Sequence, residues 1–127
     1  MSRWADSLAL LGRLLLAAIF LISGWAKLTD PSGTIRYFGS LHLPLPPLTY
    51  FLTVLVELAG GILTLLGYRA RAAALVLAIF CLLTAAMVHY HPADRMQMVN
   101  FWKNLAMAGG FLQIVAWGAG RWSVDRH

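Results

Sequence analysis

Residues 56–67 read VELAGGILTLLG, and this run holds the only glutamate of the 127-residue chain. Its neighbours are apolar or glycine, so the fold class turns on where a carboxylate in such company can sit. Composition answers this. Hydrophobic residues make up 60% of the chain and charged residues 12%, about half the charged share of a soluble domain. Mean hydropathy is +0.71. A water-soluble globule is excluded, and Glu57 belongs to a membrane segment.

Working outward, four stretches are apolar over about 20 residues, the length of helix that crosses a hydrocarbon core about 30 Å thick. They lie at 7–26, 48–66, 71–90 and 99–117. TDPSG, GYRAR and HPADR mark breaks between them. The pattern predicts an all-α integral membrane four-helix bundle forming a single domain over 1–127. Arg13 interrupts the first stretch and no small-x-small site precedes Lys27, so it reads as a retained helix rather than a signal peptide.

The chain carries 10 basic against 5 acidic residues. The basic ones gather where apolar runs end, which fits headgroups and topology signals, and nucleic acid is set aside. Four spans put both termini and the GYRAR turn on one side, with Arg3, Arg69, Arg71, Arg121 and Arg126. Lys27, Arg36 and Arg95 lie on the other. The bias places the N and C termini in the cytoplasm. In the longest loop, Ile35, Tyr37, Phe38 and Leu41 suit a short amphipathic turn or helix at the outer surface. LPLPP leads stiffly into the second span.

A charged Glu57 facing lipid would cost on the order of a few kcal/mol. Its helical neighbours Tyr50, Thr53, Gly60, Gly61 and Thr64 form a small and polar stripe, the kind that packs against other helices. Glu57 therefore points inward. Lys103, about 6 Å into the fourth span, and Glu57, about 14 Å into the second, enter from the same face at 1.5 Å per residue. Arg13 approaches from the opposite face. A buried network of Glu57, Lys103, Arg13 and Asn104 is the expected arrangement. Two readings of it stay open, a structural ion network that sets helix register and a proton or quinone site.

His89 and His91 point to nearly opposite sides of a helix and make a poor chelate, so no metal site is expected. With His42 and Asp94 they sit near the outer face. Cys81 is the single cysteine and excludes a thiol pair. No phosphate-binding glycine loop, nucleophile elbow or carboxylate cluster is present. Catalysis in such a chain needs a bound cofactor or a partner protein.

The runs RLLLAAIFLISGWAKLTDP, HLPLPP, VELAGGILTLLGYRARAAALVLAIFCLLTAAMVHYHP and NFWKNLAMAGGFLQIVAWGAGRWSVD resemble the DoxX family from about Arg13 to Asp125. The motif pieces are Arg13, Gly24 and Lys27, Glu57 with Gly60, Gly61 and Gly67, and the pair Lys103 and Asn104. The resemblance implies a small bacterial inner-membrane protein of four helices. It also implies a redox-associated, quinone-linked membrane subunit, or partner, of an oxidoreductase or detoxification system. On that expectation a quinone headgroup sits near Tyr37, His42, His89 and Trp102, with Glu57 and Lys103 as a proton route. The lipid bilayer, a redox protein and a second copy of the chain are the expected partners. A small proton-coupled transporter and a purely structural anchor subunit are the alternatives.

Overall fold

The computed structural model describes residues 3–126, and these are helical without strands. Helix α1 (Arg3–Leu28) is followed by a short α2 (Pro31–Ser40), α3 (Pro46–Leu66), α4 (Ala70–Thr84) and α5 (Arg95–Trp117). A π-helical turn, Ala85–His89, continues α4. Among the described residues three helices are long and apolar enough to cross a membrane: Arg3–Leu28, Pro46–Leu66 and Ala70–His89. The fourth expected span corresponds to α5, which runs 23 residues. Asn100, Lys103, Asn104 and Gln113 make it less apolar than the other three.

Local chemistry explains each boundary. Asp30 caps α2 by accepting the Gly33 N–H at 3.2 Å, and Pro31 occupies the first turn, where its missing N–H costs nothing. Pro46 starts α3 in the same way. Gly67 ends α3 at φ 70°, donating to Thr64 O while Tyr68 N–H reaches Leu63 O, a Schellman closure. Helix α4 lacks a local cap. The Asp125 carboxylate supplies one from the far end of the chain, accepting the N–H groups of Arg69 at 2.9 Å and Ala70 at 2.8 Å.

The helices pack chiefly as two pairs, α1 with α3 and α4 with α5. Contacts between α3 and α4 join the pairs, and α2 lies on α3 and α1. Small residues set these approaches. Leu77 of α4 fills the space a Cβ would take at Gly60, Leu21 of α1 does so at Gly61, and Leu58 meets Gly24. The inner face of α3 is Val54, Glu57, Gly60, Gly61 and Thr64, so the glycine and Thr64 part of the expected stripe is buried with Glu57, while Tyr50 and Thr53 are half-buried. Phe20 joins the pairs by edge contacts with Phe80 and Phe111, ring centroids 6.2 and 5.5 Å apart.

The outside is apolar. Leu15, Ile22, Phe51, Leu83 and Trp117 are among the large exposed hydrophobic residues, as expected of a surface that meets lipid. The α3–α4 turn and the C-terminal segment meet at one end of the molecule through Val124 N–H to Leu66 O and Asp125 N–H to Gly67 O. Helix α2 and the turn before α5 lie at the other.

Candidate functional site

One face of α1 carries Arg13, Ala17, Phe20 and Gly24 inward, all buried, with Lys27 one turn further on. The two cations are about 21 Å apart along the axis at 1.5 Å per residue. They meet different surroundings.

At the C-terminal end of this face Lys27 Nζ lies 2.9 Å from Glu57 Oε1 and donates to Ser23 Oγ at 2.6 Å. The absent side chain of Gly24 lets the Glu57 Cβ close on α1. Tyr50 donates its hydroxyl to Lys27 O at 3.0 Å, so α3 also satisfies a carbonyl in the last turn of α1. The Glu57 side chain is 5% exposed and that of Lys27 24%. Oε1 is buried and accepts no aligned hydrogen bond among the described residues, so charge alone holds the pair.

The expected network of Glu57 with Lys103, Arg13 and Asn104 is thereby corrected. Helix α5 packs against α4 rather than α3, which leaves Lys103 exposed, and among the described residues the ion pair of Glu57 is with Lys27. Arg13 is 2% exposed and sits seven to eight residues further along α3, donating to Thr64 O at 3.2 Å and Leu65 O at 2.9 Å. Its other terminal nitrogen donates to Trp122 O. It closes the end of α3 onto the C-terminal segment. Asn104 is half-buried and donates to Thr84 Oγ1 at 3.1 Å.

A cavity of about 400 Å³ opens beside the ion pair, with walls from all five helices and the π-helical turn. Ser23, Lys27, Glu57, Thr84, His89 and Asn104 supply its polar groups. Phe20, Phe38, Phe80, Met87 and Met107 supply much of its apolar wall, and Tyr37 of α2 also faces it. Of the residues expected around a headgroup, Tyr37 and His89 are therefore brought to one cavity with Glu57 and Asn104. His42 and Trp102 are not. His42 is exposed in the α2–α3 link at φ 59°, and Trp102 is 62% exposed, its ring edge-on to Phe101.

Lys27 and Ser23 are the groups at this site that the expected network left out; Lys27 stood among the motif pieces but was placed with the loop residues on the other side. A signal for them was present: Ser23 and Gly24 each lie one turn before Lys27, and glycine on that face marks a close approach by another helix. Cys81 and Thr84 also line the cavity.

The arrangement resembles a ligand pocket in its chemistry. Volumes of about 300–1,000 Å³, apolar walls and a few convergent polar groups are typical of such sites. The DoxX family model matches residues 8–90. The inner membrane protein YqjF of Escherichia coli (strain K12) is 36% identical over 129 residues, 99% of this chain and 95% of the relative. YphA, a second inner membrane protein of the same organism, is 36% identical over 125 residues, 94% of this chain and 89% of the relative. CatD of Bacillus subtilis (strain 168), which bears oxidoreductase only in a provisional name, is 36% identical over 62 residues, 49% of this chain and 45% of the relative. No solved structure matches the chain.

Proposed function

The chain belongs to the DoxX family and is a multi-pass inner-membrane protein, and from that premise we propose that it is a quinone-linked membrane subunit or partner of an oxidoreductase or detoxification system. The observation that carries the reading is the Lys27–Glu57 pair exposed to a cavity of about 400 Å³ between the helices. A pair serving register alone would be better enclosed, because water and ligand weaken it. The oxidoreductase in the name of CatD, which is similar to 49% of this chain, lends further support.

The residues present suit a quinone ring. Its oxygens accept hydrogen bonds, and Lys27 Nζ and Ser23 Oγ stand on the α1 wall as donors. Phe20 and Phe80 offer aromatic surface to the ring. When bound, a quinone supplies a lipid-soluble carrier of two electrons and two protons. Glu57 Oε1 lies 2.9 Å from the Lys27 Nζ and has capacity to accept a hydrogen bond from a ligand. With one cysteine and no dithiol, the electrons come from a partner protein.

Purified protein in lipid nanodiscs, titrated with a decyl-substituted benzoquinone, tests this. Ligand at a hundred times its Kd is expected to stabilise the fold by about 2.7 kcal/mol, read as a raised Tm. Glu57→Gln and Lys27→Met reduce the rise. A Tm indifferent to the quinone overturns the reading and leaves a structural anchor.

The same reading makes α5 a fourth span, completing a four-helix bundle with both termini cytoplasmic. Its support is the arginine-rich end formed by the α3–α4 turn and the C-terminal segment. A C-terminal green fluorescent protein fusion is expected to fluoresce and an alkaline phosphatase fusion to be inactive; the reverse result inverts the topology.

A further inference from the structure

The proposal concerns which form of ligand the α4 wall accepts, and it rests on the reading above. His89 is the last residue of the π-helical turn and lines the cavity. Such a turn carries more residues than an α-turn and so re-aims the side chains at its end; π-turns recur at functional sites. His89 Nδ1 lies 2.8 Å from Gln97 Oε1. An amide oxygen only accepts, so Nδ1 must carry the hydrogen. In the neutral ring Nε2 then holds a lone pair, and it makes no hydrogen bond among the described residues.

Gln97 is free for this duty because of how α5 begins. Asp94 caps the helix by accepting the Gln97 N–H at 3.2 Å. In a full capping box the Gln97 side chain would return to the Asp94 N–H. That N–H is already bound to His91 O at 2.9 Å, so the amide turns to His89 instead.

The cavity therefore has cationic and hydroxyl donors on its α1 wall, at Lys27 and Ser23, and is lined on the π-helical turn by His89, whose Nε2 makes no hydrogen bond among the described residues. We propose that His89 Nε2 is a subsite for a hydroxyl donor, that it makes the cavity prefer the quinol form of a para-oxygenated ring to the dicarbonyl quinone, and that Gln97 positions it. A quinol hydroxyl donates to Nε2 while the oxygen at its other end still accepts from Lys27. A quinone has nothing to donate, and leaves Nε2 stripped of water without a partner.

The test measures binding of a decyl-substituted benzoquinol and its quinone to the nanodisc-embedded protein, anaerobically, by quenching of tryptophan fluorescence. The quinol is expected to bind about tenfold more tightly, the scale of one buried hydrogen bond. The preference falls to about one in His89→Ala and Gln97→Met, and survives in Gln97→Glu, which keeps an acceptor against Nδ1. In the unsubstituted protein the ¹⁵N resonances of His89 report the tautomer directly, with Nδ1 protonated and Nε2 bare. Equal binding of the two forms, or a protonated Nε2, overturns this inference while leaving the quinone reading intact. Failure of both forms to bind overturns the two together.

Discussion

Arg13 and Lys27 occupy one face of the same helix, yet the fold uses them in opposite ways. Arg13 places its guanidinium on Thr64 O, Leu65 O and Trp122 O, joining α1, the end of α3 and the C-terminal segment. Gly67 makes the room: a Cβ there would collide with Arg13 and Ser123. Lys27 meets a carboxylate and one hydroxyl and borders a cavity. The side chains suit these tasks, since a guanidinium is a rigid fork of donors and an ammonium is a mobile point charge. A buried cation that spends its donors on backbone carbonyls is a fastening. Arg13 also borders a cavity, of about 460 Å³, but both its terminal nitrogens are committed to carbonyls, whereas Lys27 meets one carboxylate and one hydroxyl beside the cavity between the helices.

The largest effect should come from breaking the fastening. Arg13→Met is expected to cost about 3–5 kcal/mol, because it leaves the carbonyls that end α3 unpaired in a buried place. Arg13→Lys should recover only part of this, since one ammonium does not bridge two elements as the fork does. Thermal unfolding in detergent measures both. Near-normal stability in Arg13→Met would show that the C-terminal segment is held without it.

A smaller loss is expected at the other cation. Lys27→Met strands a buried carboxylate and should cost about 2 kcal/mol. Glu57→Gln leaves a lysine able to reach outward and should cost about 1 kcal/mol. The double substitution Lys27→Met with Glu57→Met should lie near the unsubstituted protein in stability while losing the quinone response. If the two single losses simply add, the pair is not coupled and the 2.9 Å contact carries little energy.

The smallest effect belongs to Lys103. It is exposed on α5, and Lys103→Gln should change stability by less than about 0.5 kcal/mol and leave ligand binding as it was. A large effect would restore it to the Glu57 network.

Much of this molecule was legible in one dimension. The breaks at TDPSG, GYRAR and HPADR lie close to the observed helix ends, because proline, glycine and capping residues act within a turn of where they stand. The inward direction of Glu57 followed from Gly60, Gly61 and Thr64 at helical spacing. The amphipathic stretch around Tyr37 and Phe38 became α2 for the same reason. The partner of Glu57 was not legible. Counting depth from the loops put Lys27 at the surface, but α2 and its flanking turns fill the span between α1 and α3. The last turn of α1 consequently lies level with the interior of α3, with Lys27 between Tyr50 and Glu57.

The same limit hid the N-terminal cap of α4, where Asp125 serves a helix that starts 55 residues earlier. It also hid the pairing of α5 with α4, which took Lys103 away from Glu57. Sequence alone determined that the chain is helical, membrane-embedded and inward-facing at its one glutamate, since hydropathy and periodicity are sums over neighbours along the chain. Only the tertiary structure decided which cation answers that glutamate and where a cavity opens, because those depend on how far one helix slides against another. No local pattern encodes that offset.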